Sequence, residues 1–120
     1  MDKILTDPMA LDQYIDLFED EASEFIREII DSFLEDAPKQ FAELDQSLSE
    51  NDTVTFRRAA HTLKTGCKTV GAPALAAKFL ELEGKSEKGD LTSVVSTIID
   101  CKAMFDTLKS ELITKNNGLD

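Results

Sequence analysis

Residues 53–70, with the sequence TVTFRRAAHTLKTGCKTV, have the clearest helical pattern in the chain. Their apolar members recur every three or four residues, which places them on one side of a helix: Phe56, Ala59, Leu63, Cys67 and Val70. Asn51-Asp52 before them can form a turn and an N-cap, and Gly71 after them suits a left-handed C-terminal residue. The sequence therefore predicts a helix over 53–70.

Upstream of this helix, a second apolar pattern has the same helical spacing. It includes Ala22, Ile26, Ile29, Phe33 and Ala37, and resumes at Phe41, Leu44 and Leu48. Pro38 lies between the two parts and lacks the N–H that a helix needs. The pattern therefore allows either one long kinked helix or two shorter ones.

Two further helices are predicted downstream. Pro73 opens one that carries Leu75, Phe79 and Leu82, and the polar, glycine-flanked residues 84–89 predict a loop after it. Asp90 is the expected N-cap of the last helix, whose apolar side consists of Leu91, Val94, Val95, Ile98, Cys101, Phe105, Leu108 and Leu112. Residues 114–120 have no periodicity and are expected to fray.

These elements predict an all-α protein, an antiparallel four-helix bundle with a short additional N-terminal helix. Asp7-Pro8 would begin that extra helix, and Leu11, Tyr14, Ile15 and Phe18 would form its apolar side. A chain of 120 residues is long enough for one domain, 1–120, whose core is expected over about 22–113.

The composition excludes several functional classes. A formal charge of −11 argues against general nucleic-acid binding and against adhesion to anionic membranes. No apolar run approaches the roughly 20 residues that span a bilayer, and acids at the N-terminus argue against a secretory signal. We therefore expect a cytoplasmic protein, and nothing in the sequence requires more than a monomer.

The cysteines and the histidine are too few to form a metal cage. Cys67 and Cys101 both fall on apolar stripes, so we interpret them as small buried side chains. A bridge between them is the alternative interpretation.

The charge is unevenly distributed along the chain. Residues 53–80 contain no acid and five bases, which leaves a net charge of −16 on the rest of the chain. A local excess of positive charge on an acidic protein is suited to holding an anion.

On a helical wheel, the single histidine of the chain, His61, lies on the side of the helix opposite the apolar residues. Four cations and two other residues share this side: Arg57, Arg58, Lys64, Lys68, Thr65 and the apolar Val54. An idle surface histidine is one interpretation. The other is an exposed nucleophile, because a neutral imidazole can accept a phosphoryl group that neighbouring cations then stabilise.

Residues 60–67, AHTLKTGC, followed by Val70-Gly71-Ala72, closely resemble the signature of the histidine-containing phosphotransfer (HPt) domain family. Asp52, Leu82-Glu83 and Gly89-Asp90-Leu91 fit the same resemblance. It spans roughly residues 25–112, with the helices in the family's order.

The resemblance implies a phosphorelay intermediate. His61 would accept a phosphoryl group from the aspartate of one receiver domain and pass it to another, with Lys64 as the phosphoryl-stabilising lysine. The receiver is expected to supply Mg²⁺ and the acidic pocket, so this chain would be a phosphocarrier and not an enzyme, with no cofactor or metal of its own.

The other candidate site residues come from the helical wheel. Arg57, Arg58 and Lys68 are predicted to contact the phosphoryl group or the partner, and Val54 to belong to a docking surface. Thr65 stands where the family most often has glycine, and its hydroxyl could bond the ring or the phosphoryl group.

The expected partners are receiver domains and a hybrid or sensor histidine kinase. We expect a free-standing shuttle, and a domain cut from a hybrid kinase is an open alternative. So is the phosphotransfer domain of a chemotaxis-type kinase, which an ATP-binding domain would phosphorylate. A third alternative is a non-catalytic acidic helical adaptor that docks a partner through the His61 face.

Overall fold

The structure, a computed structural model, describes residues 22–89 and 91–118. These residues form four helices and no strand: α1 (Ala22–Ser49), α2 (Thr53–Thr69), α3 (Pro73–Glu87) and α4 (Val95–Asn117). The predicted all-α four-helix bundle is confirmed. The predicted N-terminal helix lies outside the described residues.

The core lies between the apolar sides of the four helices. α2 packs between α1 and α3, and α4 completes the bundle against α3 and α1. The largest fully buried side chains come from every helix: Ile26, Ile30, Leu44, Phe56, Leu63, Leu75, Phe79, Leu82, Leu108 and Leu112. In the described parts of the chain, no helix has the length and apolar character needed to cross a membrane.

α1 is one continuous helix with Pro38 inside it, so the alternative of two shorter helices is wrong. Pro38 is exposed, while Ala37, Phe41 and Leu44 around it are buried on one side. The burial of this side through the whole length of the helix compensates for the backbone hydrogen bond that proline cannot make.

The predicted ends of α2 are confirmed. The Asp52 carboxylate accepts a hydrogen bond from the Thr55 N–H at 3.1 Å and one from its hydroxyl at 2.7 Å. Gly71 has a φ of +79°, which favours glycine, and it turns the chain toward α3. These two ends fix the length of α2, and burial of Phe56, Leu63 and Cys67 fixes the side on which His61 lies.

The loop predicted at 84–89 is wrong, because α3 continues through Gly84 to Glu87. Ser86 is buried and its hydroxyl donates to the carbonyl of Glu83 at 2.8 Å. Burial of this last turn compensates for the roughly 1 kcal/mol that a glycine costs inside a helix. The turn that follows ends at Gly89, which has a φ of +73°.

α4 also differs from the prediction at both ends. It begins at Val95 and not near Leu91, which is buried in the connection before the helix, and the predicted cap Asp90 lies outside the described residues. The tail predicted to fray is helical through Asn117. The Asn116 amide donates to Asp31 at 2.8 Å and so ties the last turns of α4 to α1.

Cys67 and Cys101 are buried free thiols, so the bridge is not formed. Burial raises the pKa of Cys67 to about 12, with a further contribution from Cys101. It likewise raises the pKa of Cys101 to about 12. Both side chains therefore pack as small apolar groups.

Gly66 marks a close approach between α2 and α1. A Cβ at this position would lie 2.9 Å from Cδ1 of Phe33 and 3.1 Å from Cε1. That ring is buried and packs on Phe105, with 5.9 Å between centroids, so it has little room to move. The absence of a side chain at Gly66 is therefore a packing requirement.

We expect Gly66→Ala to lower the free energy of unfolding by about 1–2 kcal/mol, because overpacking outweighs the better helix propensity of alanine. Gly84→Ala is the matched control, since nothing lies within 4 Å of a Cβ at that helical position. It should stabilise the protein by up to about 1 kcal/mol. Urea unfolding measures both, and an equal gain from both substitutions would contradict the packing requirement.

Candidate functional site

His61 lies in the middle of α2 and its side chain is 61% exposed. The other side of this helix is buried, at Phe56, Ala59, Ala60, Leu63 and Cys67. The orientation predicted from the helical wheel is therefore what the structure shows. The imidazole is open to solvent and to a docking partner.

A carboxylate from the neighbouring helix contacts both His61 and Lys64. Oε2 of Glu83, on α3, lies 3.2 Å from Nδ1 of His61, and Oε1 lies 2.7 Å from Nζ of Lys64. Glu83 is buried, and only 14% of the Lys64 side chain is exposed. Lys64 is thus held against α3 instead of extending into solvent.

The charge state of Glu83 determines which nitrogen of His61 carries the proton and which keeps its lone pair. Burial raises the pKa of Glu83, but the contacts from Lys64 and His61 outweigh it, so the pKa lies below its ordinary value. An ionised carboxylate can only accept hydrogen bonds, so we assign the ring proton to Nδ1. Nε2 then keeps its lone pair.

The other cations divide into two groups. Arg57 pairs with Glu87 of α3, with 3.5 Å between Nη1 and Oε1. Arg58 and Lys68 are exposed, and within the described ranges neither has a carboxylate within 4 Å. The spacing of charges within α2 predicts cations that have no carboxylate partner on their own helix. In the structure, two of the four, Arg57 and Lys64, pair with acids of α3.

Glu83 is a site residue that the helical wheel of α2 could not find. The sequence of α3 could have indicated it, because Glu83 is a single acid on the same buried side as Leu75, Phe79 and Leu82. A carboxylate on an apolar stripe needs a partner, because burying it alone is costly. The need for a partner predicts an ion pair between Glu83 and a base of α2, as Lys64 shows.

A depression of about 490 Å³ opens beside His61. Its lining consists of Val54, Arg57, Arg58, His61, Glu83 and Glu87. Val54 is 74% exposed, the largest exposed fraction of any large apolar residue in the described ranges. Across residues 22–89 and 91–118, no group of three or more histidine, cysteine or acidic side chains is placed to hold a metal ion.

A second cavity, of about 560 Å³, lies between α1 and α2 on the other side of the site. Phe25, Ile29 and Phe33 supply its apolar wall, and Thr65 and Gly66 lie opposite them. Thr65 is exposed and lines this groove, one helical turn after His61.

The described residues thus combine a four-helix bundle with an exposed histidine whose Nδ1 contacts a buried acid. The chain belongs to the Hpt domain family, whose model matches residues 28–111. Its fold is similar to the crystal structure of histidine-containing phosphotransfer protein B from Pseudomonas aeruginosa PAO1. The TM-score is 0.85 and the identity 23%, over 97% of each chain. A search of curated protein sequences finds no significant match.

Proposed function

We propose that the chain is a phosphocarrier of a multistep phosphorelay. His61 takes a phosphoryl group from the aspartyl phosphate of one receiver domain and gives it to the aspartate of another. The observation that supports this most strongly is the hydrogen bond between Nδ1 and Glu83, which leaves Nε2 exposed with its lone pair.

In the transfer step, Nε2 forms a bond to phosphorus as the bond from phosphorus to the aspartyl oxygen breaks. The aspartate leaves as a carboxylate, and the Nδ1 proton stays on the ring. Positive charge that develops on the imidazole is stabilised by the Glu83 carboxylate 3.2 Å away. Transfer to the second receiver is the same step in reverse.

The catalytic groups other than the imidazole are assigned to the partner. In this proposal a receiver contributes Mg²⁺ and the acidic pocket around its aspartate, and a hybrid or sensor histidine kinase supplies phosphate to the relay. The chain then acts as a cytoplasmic monomer that exchanges one receiver for another.

The surface around His61 suits a receiver. Its exposed cations, Arg58 and Lys68, are complementary to the negative charge of an aspartate pocket and would speed association. Val54 and the groove between α1 and α2 add apolar contact area on either side of the histidine.

Incubation with a phosphorylated receiver and Mg²⁺ tests the proposal. We expect the label to move from the receiver to this chain and to be acid-labile and base-stable, as phosphohistidine is. A receiver that binds tightly but never transfers its phosphoryl group would contradict the proposal and support a non-catalytic adaptor.

Val54→Asp should weaken binding to the receiver by about five- to tenfold, because it replaces apolar contact with a charge facing an acidic partner. Stability should change little, since the side chain is exposed and lies in the first turn of α2, where an acid is tolerated.

Ile99→Asp is the matched control for this prediction. Ile99 is 62% exposed, and it lies on α4, which contributes no residue to the depression beside His61. Titration calorimetry measures both affinities, and an equal loss from both variants would contradict a docking role for Val54.

A further inference from the structure

Two of the four cations around His61 are already held by acids on one side of the ring. Glu83 holds Lys64 at 2.7 Å, and Glu87 holds Arg57 at 3.5 Å. Both acids are on α3, so Lys64 and Arg57 lie on the side of α2 that faces α3. Nδ1 of His61 is directed to this side as well, through its contact with Glu83.

The reactive nitrogen is directed elsewhere. The two nitrogens of an imidazole are separated by one carbon of a five-membered ring, so they point in widely different directions. Since Nδ1 points to Glu83, Nε2 points away from α3. A phosphoryl group on Nε2 would therefore lie away from Lys64 and its acid.

By helix geometry, Arg58 lies on the other side of His61 from Lys64 and Arg57. It follows Arg57 in the helix and is turned from it by about 100°, which moves it from the α3 side of His61 to the opposite side. It lines the depression beside His61, at the edge opposite Glu83 and Glu87 by the helical turn of α2. The nearby Asp52 carboxylate accepts a hydrogen bond from the Thr55 hydroxyl at 2.7 Å, and its interaction with Arg58 is a smaller electrostatic one.

We propose that Arg58 is the residue that binds the phosphoryl group on Nε2 of His61, while Lys64 positions Glu83 and the imidazole. The inference rests on the proposed function. A guanidinium can donate two parallel hydrogen bonds to phosphoryl oxygens, which makes Arg58 suited to hold the group between its arrival and its transfer.

Chemical phosphorylation by phosphoramidate tests this without any receiver. Nε2 bonds to phosphorus, the nitrogen–phosphorus bond of phosphoramidate breaks, and ammonia leaves. The readout is the midpoint of the ³¹P chemical-shift titration of the phosphohistidine. A bound guanidinium favours the dianionic phosphoryl group, so Arg58→Gln should raise the midpoint by about half a pH unit or more.

Arg57→Gln and Lys64→Gln remove the same charge from the α3 side and should each shift the midpoint less. Arg58→Lys should shift the midpoint less than Arg58→Gln, because lysine keeps the positive charge but lacks the paired donors of a guanidinium. An unchanged midpoint in Arg58→Gln, or a larger shift in Lys64→Gln, would overturn the inference.

The two proposals fail differently in this experiment. Wild type that is phosphorylated on His61 but shows no dependence on Arg58 overturns this inference alone. Wild type that phosphoramidate does not label at His61 overturns it together with the phosphocarrier function. Failure of receivers to transfer phosphate contradicts only the proposed function.

Discussion

His61→Gln should abolish uptake of the phosphoryl group, with a loss on the order of 10³-fold or more, as expected when a nucleophile is removed. The chain contains a single histidine, so no second imidazole can replace it. A glutamine amide has the polarity of the ring without a nitrogen lone pair that can attack phosphorus. The measurement is the rate of label transfer from a phosphorylated receiver.

Two controls separate chemistry from folding in this variant. The side chain is 61% exposed, so thermal unfolding should be nearly unchanged. Binding of the unphosphorylated receiver should also persist, because the surrounding cations and Val54 remain. Equal labelling of wild type and His61→Gln would show that the phosphoryl group is carried elsewhere.

Glu83→Gln should have the second largest effect, a loss of about 10²-fold in the rate of transfer. A glutamine amide can donate to Nδ1, which favours the tautomer with the proton on Nε2 and blocks the nucleophile. It also leaves Lys64, only 14% exposed, without its carboxylate. Stability should fall by about 1–2 kcal/mol for that unpaired ammonium.

The same variant should change the pH dependence of stability. The folded protein holds the pKa of Glu83 below its usual 4.5, so ionised Glu83 contributes stability that is present above the unfolded value. This contribution is lost as the pH falls through the lower folded value. The difference in unfolding free energy between wild type and Glu83→Gln should therefore shrink below about pH 4.5.

Glu87→Gln is the matched control for Glu83, one helical turn along α3. Its ion pair with Arg57 joins two side chains that are more than half exposed, and such pairs contribute less than about 1 kcal/mol. Transfer and stability should both change little. If the two variants behave alike, Glu83 has no special role in orienting the ring.

The sequence predicts the helices and the face of α2 because both depend on local periodicity. The N-cap at Asp52, the glycine at 71 and the exposed position of His61 follow from spacing alone. Contacts between helices decide the rest. The helical ends at Glu87 and Asn117 depend on burial of Ser86 and on the bond from Asn116 to Asp31.

The candidate site shows the same division between local and tertiary information. The cations of α2 are visible in the sequence, but their pairing is not, because Glu83 and Glu87 come from another helix. This pairing changes the interpretation of the site. In our proposal, Lys64 is a positioning residue, and Arg58 is the unpaired cation of the depression that binds the phosphoryl group.

¹⁵N NMR of the protein labelled at its single histidine tests the central claim most directly. Before phosphorylation, the spectrum should show the Nδ1 proton in its hydrogen bond with Glu83 and a lone pair on Nε2. After incubation with a phosphorylated receiver, Nε2 should couple to phosphorus while Nδ1 keeps its proton. A phosphoryl group on Nδ1, or a ring whose spectrum does not change while the chain carries the label, would contradict the account.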